Sequence, residues 1–159
     1  MKRYFLFLIV FFALFSCQED VKFNTPAFQA MKDNVFWRAV QARATLYSGG
    51  NLVIEAYTAT EVVTLNTGGI ATGIYVIANT PSNTANYVYK DPLTKESVTF
   101  SSGFNVGDGE IEITEYDVVN KTVSGTFKCN LVNILDNPLF GPTLNFQYGV
   151  FYKVPVTVQ

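Results

Sequence analysis

Histidine is missing from all 159 residues. That absence removes the Ser-His and Cys-His nucleophile pairs and most zinc sites. No phosphate-cradling glycine motif occurs either, because the glycines stand in turn contexts such as Ser48-Gly49-Gly50 and Thr67-Gly68-Gly69. No window of a dozen residues carries a helical apolar stripe, which argues against a helical fold. The longest uncharged apolar run, Tyr4 to Phe15, has 12 residues. A spanning helix needs about 20, so a retained transmembrane segment is not expected.

What is present begins at that run. Lys2-Arg3 precede it and Ser16-Cys17-Gln18-Glu19-Asp20 end it, the layout of an export signal. Ordinary signal peptidase requires small residues at −1 and −3. Leu14 or Phe15 would occupy −3 at a cut before or after Cys17, and both are too large. Leu14-Phe15-Ser16-Cys17 instead resembles a lipobox, in which Leu lies three before an acylated Cys; Phe15 is bulkier than is usual at its place. The resemblance implies cleavage before Cys17 and lipidation of its thiol. A diacylglyceryl thioether, with or without an N-acyl chain, supplies more than the single chain that binds bilayers only marginally. The expected layout is a signal over 1–16, a lipidated N-terminus and tether over 17–26, and one domain over 27–159.

With Cys17 carrying lipid, Cys129 has no partner and no disulfide is expected. Removing Lys2 and Arg3 from the 11 basic residues leaves 9 against 13 acidic ones, a net charge of −4. Such a surface argues against nucleic acid, whose binding depends on clustered Lys and Arg.

From Ala27 onward Val, Ile, Thr, Tyr and Phe dominate, and turn residues recur at short intervals. Strands are expected over Phe28–Lys32, Val35–Val40, Ala42–Tyr47, Asn51–Thr58, Glu61–Asn66, Gly73–Ala78, Asn86–Lys90, Ser97–Ser101, Glu110–Tyr116, Thr122–Leu131 and Thr143–Val154. Asn34 to Thr45 has some helical propensity, but its β-branched and aromatic start and the turn pair Asp33-Asn34 favour strands. Ile111 and Ile113 alternate with Glu110, Glu112 and Thr114, so the isoleucines face inward. The same parity places Cys129 on an apolar face. Pro155 is expected to keep the last residues out of a central strand. The fold class is therefore all-β: an antiparallel meander of about ten short strands, closed as a barrel or folded as a sandwich. Loops at Asn79–Ala85 and Ile134–Pro142 are the default binding surfaces.

Several blocks resemble a family of flavobacterial lipoproteins of unknown function. They are Asn24-Thr25-Pro26-Ala27-Phe28-Gln29-Ala30, Phe36-Trp37-Arg38-Ala39, Gly73-Ile74-Tyr75, Ala85-Asn86-Tyr87, and Ile111 to Phe127 with Tyr116-Asp117 and Val123-Ser124-Gly125-Thr126-Phe127. The resemblance carries no catalytic residues. Gln18-Glu19-Asp20 is similar to the acidic signal that sends Bacteroidota lipoproteins to the cell surface, which implies an outer-membrane address.

Candidate chemistry is sparse. Glu110 and Glu112 lie two apart on one strand face, about 7 Å by the strand rise, within the separation an inverting glycosidase uses. Glu115 and Asp117 form a second carboxylate pair. Asp108-Gly109-Glu110 with Glu115 and Asp117 are candidates to gather around Ca²⁺, but their spacing matches no calcium loop and Asp-Gly is first a turn signal, so no metal is expected. Phe36, Trp37, Tyr75, Tyr87 and Tyr89 are candidates for a stacking platform, against the commoner use of strand aromatics in cross-strand packing. The sequence thus favours a non-enzymatic, lipid-anchored domain without cofactor that binds a protein or glycan partner. A carbohydrate-active enzyme using only carboxylates is the alternative.

Overall fold

A computed structural model describes residues 27–159; Cys17 and the expected signal and tether lie outside the described residues. Eleven strands form a single hydrogen-bonded sheet: β1 Ala27–Lys32, β2 Val35–Arg38, β3 Gln41–Leu46, β4 Leu52–Tyr57, β5 Glu61–Thr67, β6 Gly73–Ile77, β7 Thr84–Lys90, β8 Ser97–Ser102, β9 Asp108–Asp117, β10 Thr122–Asn133 and β11 Thr143–Val158. The sheet folds back on itself. β2-β1-β11-β10-β9-β6 make one layer and β3-β4-β5-β7-β8 the other. The layers join where Val156–Val158 of β11 pair with β3 and where Val132–Asn133 of β10 pair with β8. Those two seams and the β10–β11 ladder close a ring of β11, β3, β4, β5, β7, β8 and β10. The structure is a sandwich rolled part-way into a barrel.

Local chemistry explains the turns. Asp33 and Asn34 have φ of 47° and 65°, the left-handed pair that lets a two-residue hairpin follow strand twist. Gly50 has φ 86° in the β3–β4 turn. Parity explains the core. Ala42 and Ala44 of β3, Leu52, Ile54 and Ala56 of β4, and Val63 and Leu65 of β5 face Phe28, Ile111, Ile113, Val123, Phe127, Phe146 and Phe151 of the other layer, all buried. Tyr87 meets Phe146 across the layers at 5.9 Å between ring centroids. Buried apolar side chains from both layers form one core cluster.

Three expectations are corrected. β6 does not follow β5 in a meander; it crosses to the opposite layer and pairs with β9, while β5 pairs with β7. The β11–β3 contact is parallel, so the sheet is mixed. β11, expected to end at Val154, continues past Pro155 to Val158. There it leaves the β10 ladder and pairs along β3 alone, so the last residues stay out of a central position as expected. Proline lacks the N–H that a ladder needs, and a change of partner is a place where that loss is tolerated. Bulges bend β11 into both layers: Tyr148 and Lys153, at φ 52° and 49°, sit at its two register shifts against β10.

Candidate functional site

Among the described residues, the most highly coordinated carboxylate lies between the layers. β5 opens on Glu61, in phase with Val63 and Leu65, so its carboxylate points into the space the apolar face encloses. Lys32 is in phase with Phe28 and Ala30 on β1, and Tyr87 with Ala85 on β7. Glu61 Oε1 accepts from Lys32 Nζ and, at 2.6 Å, from the Tyr87 hydroxyl. Its Oε2 accepts from Trp37 Nε1–H at 2.5 Å and from the Thr58 hydroxyl at 3.3 Å. Lys32 Nζ also donates to the Tyr87 oxygen at 3.1 Å and lies 5.0 Å from that ring's centroid. One carboxylate thereby ties the β1–β2 hairpin to β5 and β7.

Electrostatics follow from those contacts. Burial alone pushes the Glu61 carboxyl up, but the hydrogen bonds from Lys32, Tyr87 and Trp37 and the lysine charge hold it below its ordinary value. Burial first, then the hydrogen bond to Glu61, pushes the Tyr87 phenol upward. At neutral pH the carboxylate is charged and the phenol protonated. Such a set fixes geometry; a general acid or base needs a group poised near the working pH.

The carboxylates singled out from sequence lie elsewhere, and the structure does not gather them into a cleft. Glu110 and Glu112 stand on the outer face of β9, the first paired with Lys128 Nζ at 3.0 Å and the second accepting from the Thr126 hydroxyl at 3.3 Å. Val76 and Ile74 of β6 flank them. Glu115 is exposed. Asp117 caps its own turn, accepting from Val119 and Asn120 N–H, each at 2.9 Å. Asp108 accepts from Asn130 Nδ2 at 2.6 Å. These groups are strung along β9, and among the described residues no group of three or more Cys, Asp or Glu is placed to hold a metal ion.

The aromatic candidates separate too. Trp37 is buried edge-on to Phe28 and Phe146, both at 6.0 Å. Its neighbour Phe36 points to solvent. Tyr75 donates to the Ala71 carbonyl at 2.8 Å, and Tyr89 packs on Phe140 at 5.8 Å. They form no common platform. Cys129 is buried on the apolar face, its thiol pushed up to about 12 by burial, which leaves no thiolate nucleophile at neutral pH.

One open cleft of about 80 Å³ lies between the β7–β8 and β10–β11 loops, lined by Asp91, Thr94, Glu96, Ser97, Asn137, Leu139 and Phe140. The loop at Ile134–Pro142 was expected to offer a surface; its meeting with Asp91–Glu96 was not legible. Glu61 is not among the residues singled out from sequence, although the strand parity that turns Glu110 and Glu112 outward turns Glu61 inward.

Fold and site together define an all-β domain in which the Glu61 carboxylate braces two layers and a cleft lies among the loops. The chain belongs to the family described as Domain of unknown function (DUF6252), which matches residues 24–155. No curated protein and no solved structure matches it.

Proposed function

We propose that the chain is a lipid-anchored envelope lipoprotein of flavobacterial type, whose domain is a non-enzymatic unit that binds a protein or glycan partner. Leu14-Phe15-Ser16-Cys17 behind a basic start and a 12-residue apolar run carries the reading. Cys17 holds the lipid, the outer membrane is the address, and Gln18-Glu19-Asp20 directs the domain to the cell surface. The state of the carboxylates supports the non-enzymatic part. Glu61 is engaged between the layers, Glu110 and Glu112 pair on an outer face, and Asp117 serves its turn. The loop cleft lined by Asp91, Glu96 and Phe140 is where the partner binds.

The test is metabolic labelling with palmitate in a native-type host, with Cys17→Ser alongside. The parent chain takes up label and stays in the outer membrane, while Cys17→Ser loses both properties. Label that survives Cys17→Ser removes the anchor reading. Native mass spectrometry of the processed protein then checks the binding part: a co-purifying glycan or protein supports it, and an essential metal or cofactor overturns it.

A further inference from the structure

The end of the domain at which the tether enters has a chemistry of its own. Ala27, the start of β1, pairs with Tyr152 of β11. Thr122, the start of β10, pairs with Pro155 on the same strand. The entry point and the β9–β10 turn therefore share one end of the layer. Val156 donates its N–H to the Lys121 carbonyl at 2.8 Å, and Val158 pairs with Leu46, which brings the β3–β4 turn to the same end. Val118, Val119, Tyr152, Val158 and Tyr47 all stand exposed there. Lys121 and Lys153 lie among them, with Lys153 Nζ 5.3 Å from the Tyr152 ring centroid. The acidic residues nearby are Glu115 and Asp117, and Asp117 is turned into its own backbone.

The valines are not what the turn requires. Asp117 holds Val119 and Asn120 N–H, the Asn120 amide donates back to Asp117 at 2.6 Å, and Lys121 takes the left-handed position at φ 52°. Tips of this kind ordinarily carry Asn, Asp, Gly or Ser. Val118 and Val119 are 68% and 90% exposed, so the core does not require them either.

We propose that this end rests on the bilayer that holds Cys17. Val118-Val119 enters the interfacial zone, Tyr47 and Tyr152 sit at headgroup level, and Lys121 and Lys153 meet lipid phosphates, the places that amphipathic and basic side chains take at a membrane surface. The inference rests on the anchoring reading. The nine residues between Cys17 and Ala27 keep Ala27 within about 35 Å of the lipid thioether, so the tether enters the domain at this end. The 12 residues of β10 put the cleft of Asp91, Glu96 and Phe140 about 40 Å away at the strand rise. Docking at one end would present that cleft outward.

The test uses the processed, lipidated full-length protein in phosphatidylethanolamine–phosphatidylglycerol vesicles, its diacylglyceryl mass confirmed. Environment-sensitive probes are placed by Val119→Cys and, at the far end, by Leu139→Cys; Cys17 is blocked by lipid and Cys129 is buried. The probe at 119 shifts to the blue and is quenched by brominated acyl chains, while the probe at 139 is not. With Val118→Asp and Val119→Asp together, a probe at Tyr47→Cys loses its quenching although the protein stays on the vesicles. Equal, water-like emission from 119 and 139 on lipidated protein overturns the docking and leaves the anchor standing. A chain whose mass lacks the lipid removes both readings.

Discussion

Two carboxylate sites, Glu61 between the two layers and Glu110 with Glu112 on the back of β9, use one residue type in opposite ways. Glu61 collects donors from four neighbours and lies largely out of water. Glu110 and Glu112 have one partner each and stay half-exposed. The cause is phase. A charged residue in step with inward-facing apolar neighbours must find partners inside, whereas one out of step remains in solvent. Each pair on the outer face is worth about 0–1 kcal/mol; removing a partner from the inner node leaves another charge or donor without its match, at a larger cost.

The largest effect expected in this comparison lies behind the outer row and has nothing to do with charge. Gly125 lets the Glu112 carbonyl and the Phe151 ring approach so closely that a Cβ would overlap both. Gly125→Ala should cost about 3 kcal/mol or more, read as a lowered urea midpoint. An outer region that tolerated it would show that β9 is loosely held. Next comes Glu61→Gln, which keeps the shape but leaves Lys32 facing an uncharged amide. A loss of about 2–3 kcal/mol is expected, again by urea unfolding, and a neutral result would erase the distinction between the regions.

Acid titration sharpens the same point. The Glu61 carboxyl lies below its ordinary value when folded, so the unfolded chain binds the proton first. The stabilisation is complete above the ordinary carboxylate range and is lost as pH falls from that range through the depressed folded value. Urea midpoints from pH 7 to pH 3 should decline, and Glu61→Gln should flatten that decline relative to the parent; equal slopes would deny Glu61 the role. Trp37→Phe retains most of the ring packing but removes the Nε1–H donor to Glu61, with about 1 kcal/mol expected. Its coupling to Glu61→Gln in a double-mutant cycle should exceed 0.5 kcal/mol on the order of contacting pairs. Last, Glu110→Gln with Glu112→Gln should shift stability by less than about 0.5 kcal/mol per site. A larger loss would move the outer row into the class of Glu61.

Much of the fold was legible. Val-Ile-Thr-Tyr-Phe runs broken by Asp33-Asn34, Ser48-Gly49-Gly50 and Asp117 to Lys121 mark strands and turns near their observed bounds. The inward placing of Ile111, Ile113 and Cys129 followed from alternation alone. The site was legible only in its parts. Glu61, Lys32 and Tyr87 each announce an inward face by phase, but they come from β5, β1 and β7, and no local pattern says that those strands converge.

The sequence by itself determined the all-β class, the tight turns at Asp33-Asn34, Ser48-Gly49-Gly50 and Asp117 to Lys121, and the inward face of residues such as Ile111 and Ile113, because side-chain parity and turn chemistry act over a few residues. It also supplied the reading of Cys17, which depends on a linear motif. Only the tertiary structure decided that β6 crosses to β9, that β11 runs past Pro155 to a parallel partner, and that Glu61 rather than Glu110 braces the interior. Those outcomes depend on which layers face each other and on bulges at Tyr148 and Lys153 that bend one long strand into both. Pairings between distant segments are settled by the packing of the whole core, and adjacent residues carry no record of them.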